Sequence, residues 1–425
     1  MKLYKTQNII QMITRYLLII ISILFLWFSG KAQEDTLTIE KALEIAKKNN
    51  PQLHQLIEQK EQKRLSKKIS TGIESPEIVY FKEGLNKDAS EPFAEQRISI
   101  TQRIDFPLET YYRLRALENE HQAMNYLIES YKKQLVADVK KQYVKVLYAN
   151  HIHELRNKQI TLYKQMHNAV SLKMEMGEAT EMQLLSIEVQ LNQSRNTLHK
   201  AEQILHNARY NLFDLMGLDS EKQKYSINFS DTLRTYEKYI NQDTALNYVK
   251  ASPQMELIKK QIEASTDRIR EARMNYFPDI NFSYYQQDYG TGYEYNGYEV
   301  GISIPLWGAF NKRGHVQIQQ ARNRELNYKK YQTELKIKKE IEQAWHGYEA
   351  LKQSIKRYED SIRTKATKLY NKNLEAYRLG QIDLIELLDA QRIYLDTEAT
   401  YLQSLRDYYL QMIDLEKYTN HKLVY

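Results

Sequence analysis

Glu386 and Asp389 stand three residues apart, so a helix carries both carboxylates on one face. Acids so placed suit a solvated face near a helix N-terminus, where the dipole favours them. His151 and His153 invite a metal site, but two residues apart on a helix they point away from each other. His153-Glu154-Leu155 does not continue into a zinc-protease signature. No glycine-rich phosphate loop follows a strand, and no nucleophile elbow occurs. Cysteine is absent, which removes thiolate metal sites, disulfides, cysteine nucleophiles and an N-terminal lipid anchor on cysteine. The residues point to no enzyme, no metal site and no cofactor.

What positions the acids is a repeat. Lys41-Ala-Leu-Glu-Ile-Ala-Lys-Lys-Asn-Asn-Pro51-Gln-Leu53 recurs as Asp243-Thr-Ala-Leu-Asn-Tyr-Val-Lys-Ala-Ser-Pro253-Gln-Met255, at an offset of 202. Met176-Gly177 followed by Leu184-Leu185 recurs as Leu379-Gly380 followed by Leu387-Leu388, at an offset of 203. Between them Ile104-Asp-Phe-Pro107 answers Ser303-Ile-Pro305-Leu, at an offset of 198. Three anchors in one order divide the chain into repeats over 33–235 and 236–425.

Each repeat reads as a short helix ending before a proline, a second helix (roughly 52–70 and 254–275), a strand pair and a helical hairpin. Tyr298, Val300, Ile302 and Ile304 alternate with Glu299, Gly301 and Ser303. That is a period-two strand with one apolar face. Ile280, Phe282 and Tyr284 alternate likewise with Asn281 and Ser283, and the turn-rich segment 289–297 reads as the loop between the two. In the first repeat Ile98, Ile100, Ile104 and Phe106 oppose Arg97, Ser99, Thr101, Arg103 and Asp105, while the strand near Ile78–Lys82 alternates poorly. Arg97, Arg103 and Glu299 thus fall on a polar face. Pro107 and Pro305 end the strand pairs and open long helices, where a missing amide proton costs little.

About 70 residues without proline follow each strand pair, roughly 100 Å as helix. Leu335, Ile337, Ile341, Trp345, Tyr348, Leu351, Ile355, Tyr358 and Ile362 set a spacing near 3.5, the seam of a coiled coil. Gly177 and Gly380 are placed as left-handed caps between hairpin helices. The return helices (roughly 180–216 and 383–418) are about half as long, which leaves the helices around Pro51 and Pro253 to pack beside the rest.

Lys2, Lys5 and Arg15 precede an apolar run from Tyr16 to Phe28, and Gly30 and Ala32 suit a signal-peptidase site; residues 1–32 are expected to be an export signal. They carry four cations and no acid, so their removal lowers the net charge from +7 to +3. That balance gives no footprint for nucleic acid. Mean hydropathy is −0.67, and beyond residue 28 no apolar run approaches the ~18 residues of a membrane helix. Any crossing of a membrane is then made by strands. Four strands do not close a barrel, and open edges are not tolerated in lipid, so closure requires association. The 34 tyrosines fit bilayer interfaces or a tyrosine-rich coiled-coil core equally.

Leu379-Gly-Gln-Ile-Asp-Leu-Ile-Glu-Leu-Leu-Asp-Ala-Gln391, its weaker partner Met176-Gly-Glu-Ala-Thr-Glu-Met-Gln-Leu-Leu185 and the tandem strand pairs resemble the TolC-type outer-membrane efflux proteins. The resemblance covers nearly all of the chain after residue 32. It implies a mainly α fold with a small β contribution: a homotrimer whose twelve-stranded barrel sits in outer-membrane lipid and continues as an α-helical tunnel in the periplasm. It implies as partners a periplasmic adaptor and an inner-membrane pump, with Tyr276-Phe-Pro-Asp-Ile280 and Val300-Gly-Ile-Ser-Ile-Pro-Leu-Trp307 similar to members serving resistance-nodulation-division pumps, heavy-metal exporters among them.

By the same resemblance Glu386 and Asp389 match acidic constriction residues, with Gln183 and Ser186 at the equivalent first-repeat positions. Gly177, Glu178, Gly380 and Gln381 fall at tips that contact the adaptor, with Leu184, Leu185, Leu387 and Leu388 as hairpin core. Arg97, Arg103 and Glu299 would line the barrel lumen. Two other readings stay open, a periplasmic coiled-coil adaptor or structural rod and a type I protein-secretion duct.

Overall fold

The computed structural model describes residues 37–84, 93–219, 232–233, 242–290, 294–304, 308–418 and 423. The expected export signal over 1–32 lies outside them, as does Pro305. In chain order come α1 (Ile39–Asn49), α2 (Pro51–Ile69), β1 (Glu77–Glu83), β2 (Glu95–Ile104), α3 (Pro107–Glu175) and α4 (Glu181–Leu215). The second half runs α5 (Gln242–Asn247), a 3-10 turn (Tyr248–Ala251), α6 (Pro253–Met274), β3 (Asp279–Asp288), β4 (Glu294–Ser303) and α7 (Gly308–Arg357). A π turn (Tyr358–Ile362) then leads into α8 (Arg363–Arg378) and α9 (Leu384–Lys417). The two halves therefore repeat one succession of elements.

Local chemistry sets the boundaries. Asn50 ends α1 and caps α2, its Oδ1 accepting from the Leu53 amide at 3.0 Å, with Pro51 in the first turn. The same side chain donates to the Leu215 carbonyl at 3.0 Å and accepts from the Tyr131 hydroxyl at 3.0 Å, tying three helices together. Ser252 and Pro253 open α6 in the same way. Gly217, at φ +66°, closes α4 against α1, where an added Cβ would stand 2.4 Å from the Asn49 carbonyl oxygen.

The strands form one antiparallel sheet in the order β1-β2-β3-β4, so the two repeats join through β2 and β3. On one face lie the rows Ile78–Ile100–Tyr284–Tyr298 and Ile104–Ile280–Ile302, with Phe282 and Val300 between them. Tyr298 is 77% exposed and Val300 64% exposed, so this apolar face has no cover among the described residues. The other face holds Arg97, Ser99, Thr101 and Arg103 beside Asn281, Ser283 and Glu299. β1 alternates poorly because both its faces are apolar: Ile78 and Tyr80 join the first face, Val79 and Phe81 the second. The loop expected over 289–297 is shorter, since β4 starts at Glu294 and 294–297 pair with 285–288. Gly297 belongs to the strand because the Tyr285 ring lies over it, leaving no room for a Cβ.

α3 runs 69 residues unbroken, while α7, the π turn and α8 make a second long rod. Each rod ends in paired 6→1 and 5→2 hydrogen bonds: Glu178 N–H to Lys173 and Gly177 N–H to Met174, then Gln381 N–H to Ala376 and Gly380 N–H to Tyr377. Both glycines have the left-handed φ this motif needs, +77° and +72°. α4 and α9 return beside the rods. α2 packs along α3, and α6 fills the space between α3 and α7, as the short return helices require. Lys63 and Arg268 reach Glu120 at 2.8 and 3.0 Å, so one α3 carboxylate links α2 and α6.

The second hairpin shows where tyrosine is used. Tyr348 stacks on Tyr408 with centroids 5.2 Å apart, Tyr370 on Tyr394 at 5.6 Å, and Tyr358 tilts against Tyr401 at 6.3 Å. Each pair adds ~0.5–1.5 kcal/mol beyond the area it buries. Burial holds the Tyr401 and Tyr408 hydroxyls above the usual range, and the Tyr401 hydroxyl donates to Glu359 at 2.7 Å. The expected seam is buried at Ile337, Ile341, Tyr348 and Ile355 but exposed at Leu335 and Ile362. Leu335 lies past the end of α9, and Ile362 ends the π turn, whose wider winding rotates it off the seam.

Candidate functional site

Two regions carry residues of interest: the hairpin tips and the polar face of the sheet. At the first tip Thr180 Oγ1 accepts from the Gln183 amide at 3.3 Å while Gln183 Oε1 accepts from the Thr180 amide at 3.0 Å, a reciprocal capping box. At the second, Asp383 Oδ1 accepts from the Glu386 amide at 3.0 Å. Gln183 and Glu386 thus hold the same third helical position, and Gln183 spends its side chain on the cap. Thr180→Ala is expected to lower stability by ~1 kcal/mol, with the loss read as faster amide exchange confined to the start of α4.

Glu386 is exposed; Asp389, one turn on, pairs with Arg392 at 2.5 Å, and this contact raises the Arg392 pKa. Asp389 and Arg392 border a groove of about 410 Å³ between α3, α4 and α9, with Tyr163, Gln190 and Leu388 on its walls. Ser186 is exposed at the position equivalent to Asp389. Above the tips the two hairpins are tied together: Lys158 Nζ donates to the Tyr394 hydroxyl at 2.6 Å, and Lys173 Nζ to the Tyr377 carbonyl at 3.0 Å.

Gly177, Glu178, Gly380 and Gln381 are all exposed at the turns. Leu387 is fully buried and Leu184 and Leu388 pack against the same cluster, as expected of core. Leu185 does not: it is 52% exposed, because the step from Leu184 rotates it ~100° to the outer side of α4. Exposed Met176, Met182, Leu379 and Ile385 join it, so the tips present apolar side chains around glycine turns.

On the sheet, the Arg97 guanidinium lies 5.9 Å from the ring centroids of both Phe81 and Tyr285. Arg103 pairs with Asp279 at 2.7 Å. Glu299 shares a row with Ser283, Thr101 and Glu77, and Thr101 and Ser283 hydroxyls meet at 2.9 Å. Sequence reading put Arg97, Arg103 and Glu299 on one face correctly but missed Phe81 and Tyr285 beside them, and missed the caps. The Thr180-Glu-Met-Gln183 spacing was the available signal for the latter. Among the described residues no cluster of histidine and acid suits a metal ion, and His151 and His153 contact Glu154 and Glu202 separately. No described helix is long and apolar enough to cross a membrane.

Residues 248–421 match the family described as outer membrane efflux protein. No curated protein sequence matches the chain. A membrane protein from Pseudomonas aeruginosa is 16% identical, covering 89% of this chain and 93% of its own at a TM-score of 0.77. The Campylobacter jejuni CmeC outer membrane channel is 15% identical, covering 89% and 85%, also at 0.77. The open state of the Neisseria gonorrhoeae MtrE outer membrane channel is 14% identical, covering 89% and 88%, at 0.73. Identities this low speak for the fold alone. By sequence the second repeat resembles the outer membrane efflux proteins, and along nine-tenths of its length the chain shares the fold of these outer membrane channels.

Proposed function

We propose that three copies of this chain pair β4 of one with β1 of the next, closing a twelve-stranded barrel in the outer membrane above an α-helical tunnel in the periplasm. The assembly is a passive duct in a tripartite efflux system, taking small toxic solutes such as drugs or metal ions from an adaptor and a resistance-nodulation-division pump. The observation that carries this reading is the sheet: among the described residues it is open at both edges, apolar and uncovered on one face, polar on the other, and continuous with helical rods. Lipid satisfies the apolar face, and only closure satisfies the edges. The glycine turns with their exposed apolar rim supply the adaptor contact. A protein released by osmotic shock as a soluble monomer would sink the duct in favour of a periplasmic coiled-coil protein.

At the inner end, three copies of the second tip place rings of Glu386 and Asp389 across the tunnel. Asp389 is compensated by Arg392, so Glu386 carries most of the field that favours cations. Alanine at both positions is expected to raise single-channel conductance in planar bilayers and to lower cation preference. Glu386→Ala alone should account for most of the selectivity change; unchanged values in the double variant would remove both acids from the pore.

A further inference from the structure

On the polar face of the sheet an aromatic band lies between two acidic rows, with the Arg103–Asp279 pair beyond the row nearer the helices. Toward the loops Glu83 stands opposite Glu95, and toward the helices Glu77 and Glu299 end one row across the four strands. Between these lie the rows Phe81–Arg97–Gln287–Tyr295 and Val79–Ser99–Tyr285–Gly297. The Tyr285 ring lies back over Gly297, where a Cβ would stand 2.4 Å from it. Arg97 sits between that ring and Phe81, 5.9 Å from each centroid. Glu95, two residues away on the same strand, accepts instead from Gln287 at 2.6 Å.

A guanidinium held beside two rings keeps its planar fork of donors for a carboxylate, sulfonate or phosphate. The rings add apolar contact next to that fork. We infer that this band is a transit binding site for amphipathic organic anions, with aromatic carboxylates and sulfonates as the ligand class and one copy per protomer around the lumen. The inference rests on the barrel reading above, which makes this face the lumen. Flanking acids decide the class. A small inorganic anion meets one arginine between rows of carboxylates and gains little, whereas an aromatic anion gains the rings as well. An aromatic cation meets the arginine's own charge at the rings.

The test uses the full-length protein in planar bilayers, with 2-naphthalenesulfonate added on the barrel side and dwell times compared only among open channels. Discrete current blocks are expected, about tenfold longer than any caused by sulfate or 1-naphthylmethylammonium. Arg97→Gln is expected to shorten them about tenfold, and Phe81→Leu about threefold. Arg97→Lys, which keeps the charge but not the planar fork, should fall between wild type and Arg97→Gln. Conducting wild-type channels with no such blocks, with sulfate blocks of equal length, or with dwell times unchanged by Arg97→Gln overturn the inference alone. Wild-type protein that forms no channel overturns the barrel reading and this site with it.

Discussion

Lysine in place of Val300 will keep the protein out of the outer membrane, while lysine in place of Ser283 will not. Val300 is 64% exposed on the uncovered apolar face, midway between Tyr298 and Ile302. Ser283 sits on the opposite face, between Thr101 and Glu299. A lysine facing the bilayer midplane of a barrel costs ~2–4 kcal/mol per copy, and the proposed trimer would carry three. The total reaches the whole stability of an ordinary domain. The same side chain on the inner face meets water and pays almost no desolvation. Membrane fractionation with heat-modifiable gel mobility reads the result, and Val300→Leu controls for loss of strand packing. Equal insertion of both lysine variants would reverse or abolish the assignment of the two faces.

The second large effect is at the junction of the repeats, where α3 meets the end of α9. Lys140 is 2% exposed and its Nζ lies 2.6 Å from Glu416 Oε1. Lys141 and Asp414 pair alongside, and the Tyr418 hydroxyl donates to Glu340. Burial also holds the Lys417 pKa below the usual lysine range. Removing Lys140 takes from Glu416 its buried counter-charge, so Lys140→Ala is expected to lower unfolding free energy by ~3 kcal/mol, the low end for a broken buried pair because Glu416 keeps the Leu423 amide as a donor. Replacing both, Lys140→Met with Glu416→Leu, should recover most of it, because an apolar pair of similar volume avoids both desolvation penalties. Urea unfolding of the detergent-solubilised protein measures both. A double variant as unstable as Lys140→Ala would mean that the pair holds more than its own charges.

Punctuation residues made most of the fold legible. Pro51, Pro107 and Pro253 mark helix starts because a missing N–H is harmless only there, and Gly177 and Gly380 mark helix ends because φ near +75° excludes other residues cheaply. Alternation marked β2, β3 and β4. It failed at β1, where Val79 and Phe81 face the polar side, since alternation reports burial and Phe81 lies beside Arg97 instead. The π turn left no trace in Tyr358–Ile362, because one widened turn depends on how Arg363, Glu398, Tyr401 and Glu359 meet across two helices. At the tips the acids were visible but their compensation was not. Arg392 sits three residues beyond Asp389, a spacing as ordinary on any solvated helix as on this one. Tyrosine had two readings, and the stacks at Tyr348–Tyr408 and Tyr370–Tyr394 give the core a share that composition could not apportion.

Both outer strands of the sheet, β1 and β4, lack a partner among the described residues. In the proposed trimer each copy is a link whose two ends must both be sound, and a ring tolerates no bad link. In a cell making equal amounts of normal and edge-damaged chains, random threefold assembly leaves only about one ring in eight wholly normal. Damage to either edge strand should behave genetically as dominant, whereas damage to a helical hairpin tip, which leaves the ring closed, should dilute in proportion to dose.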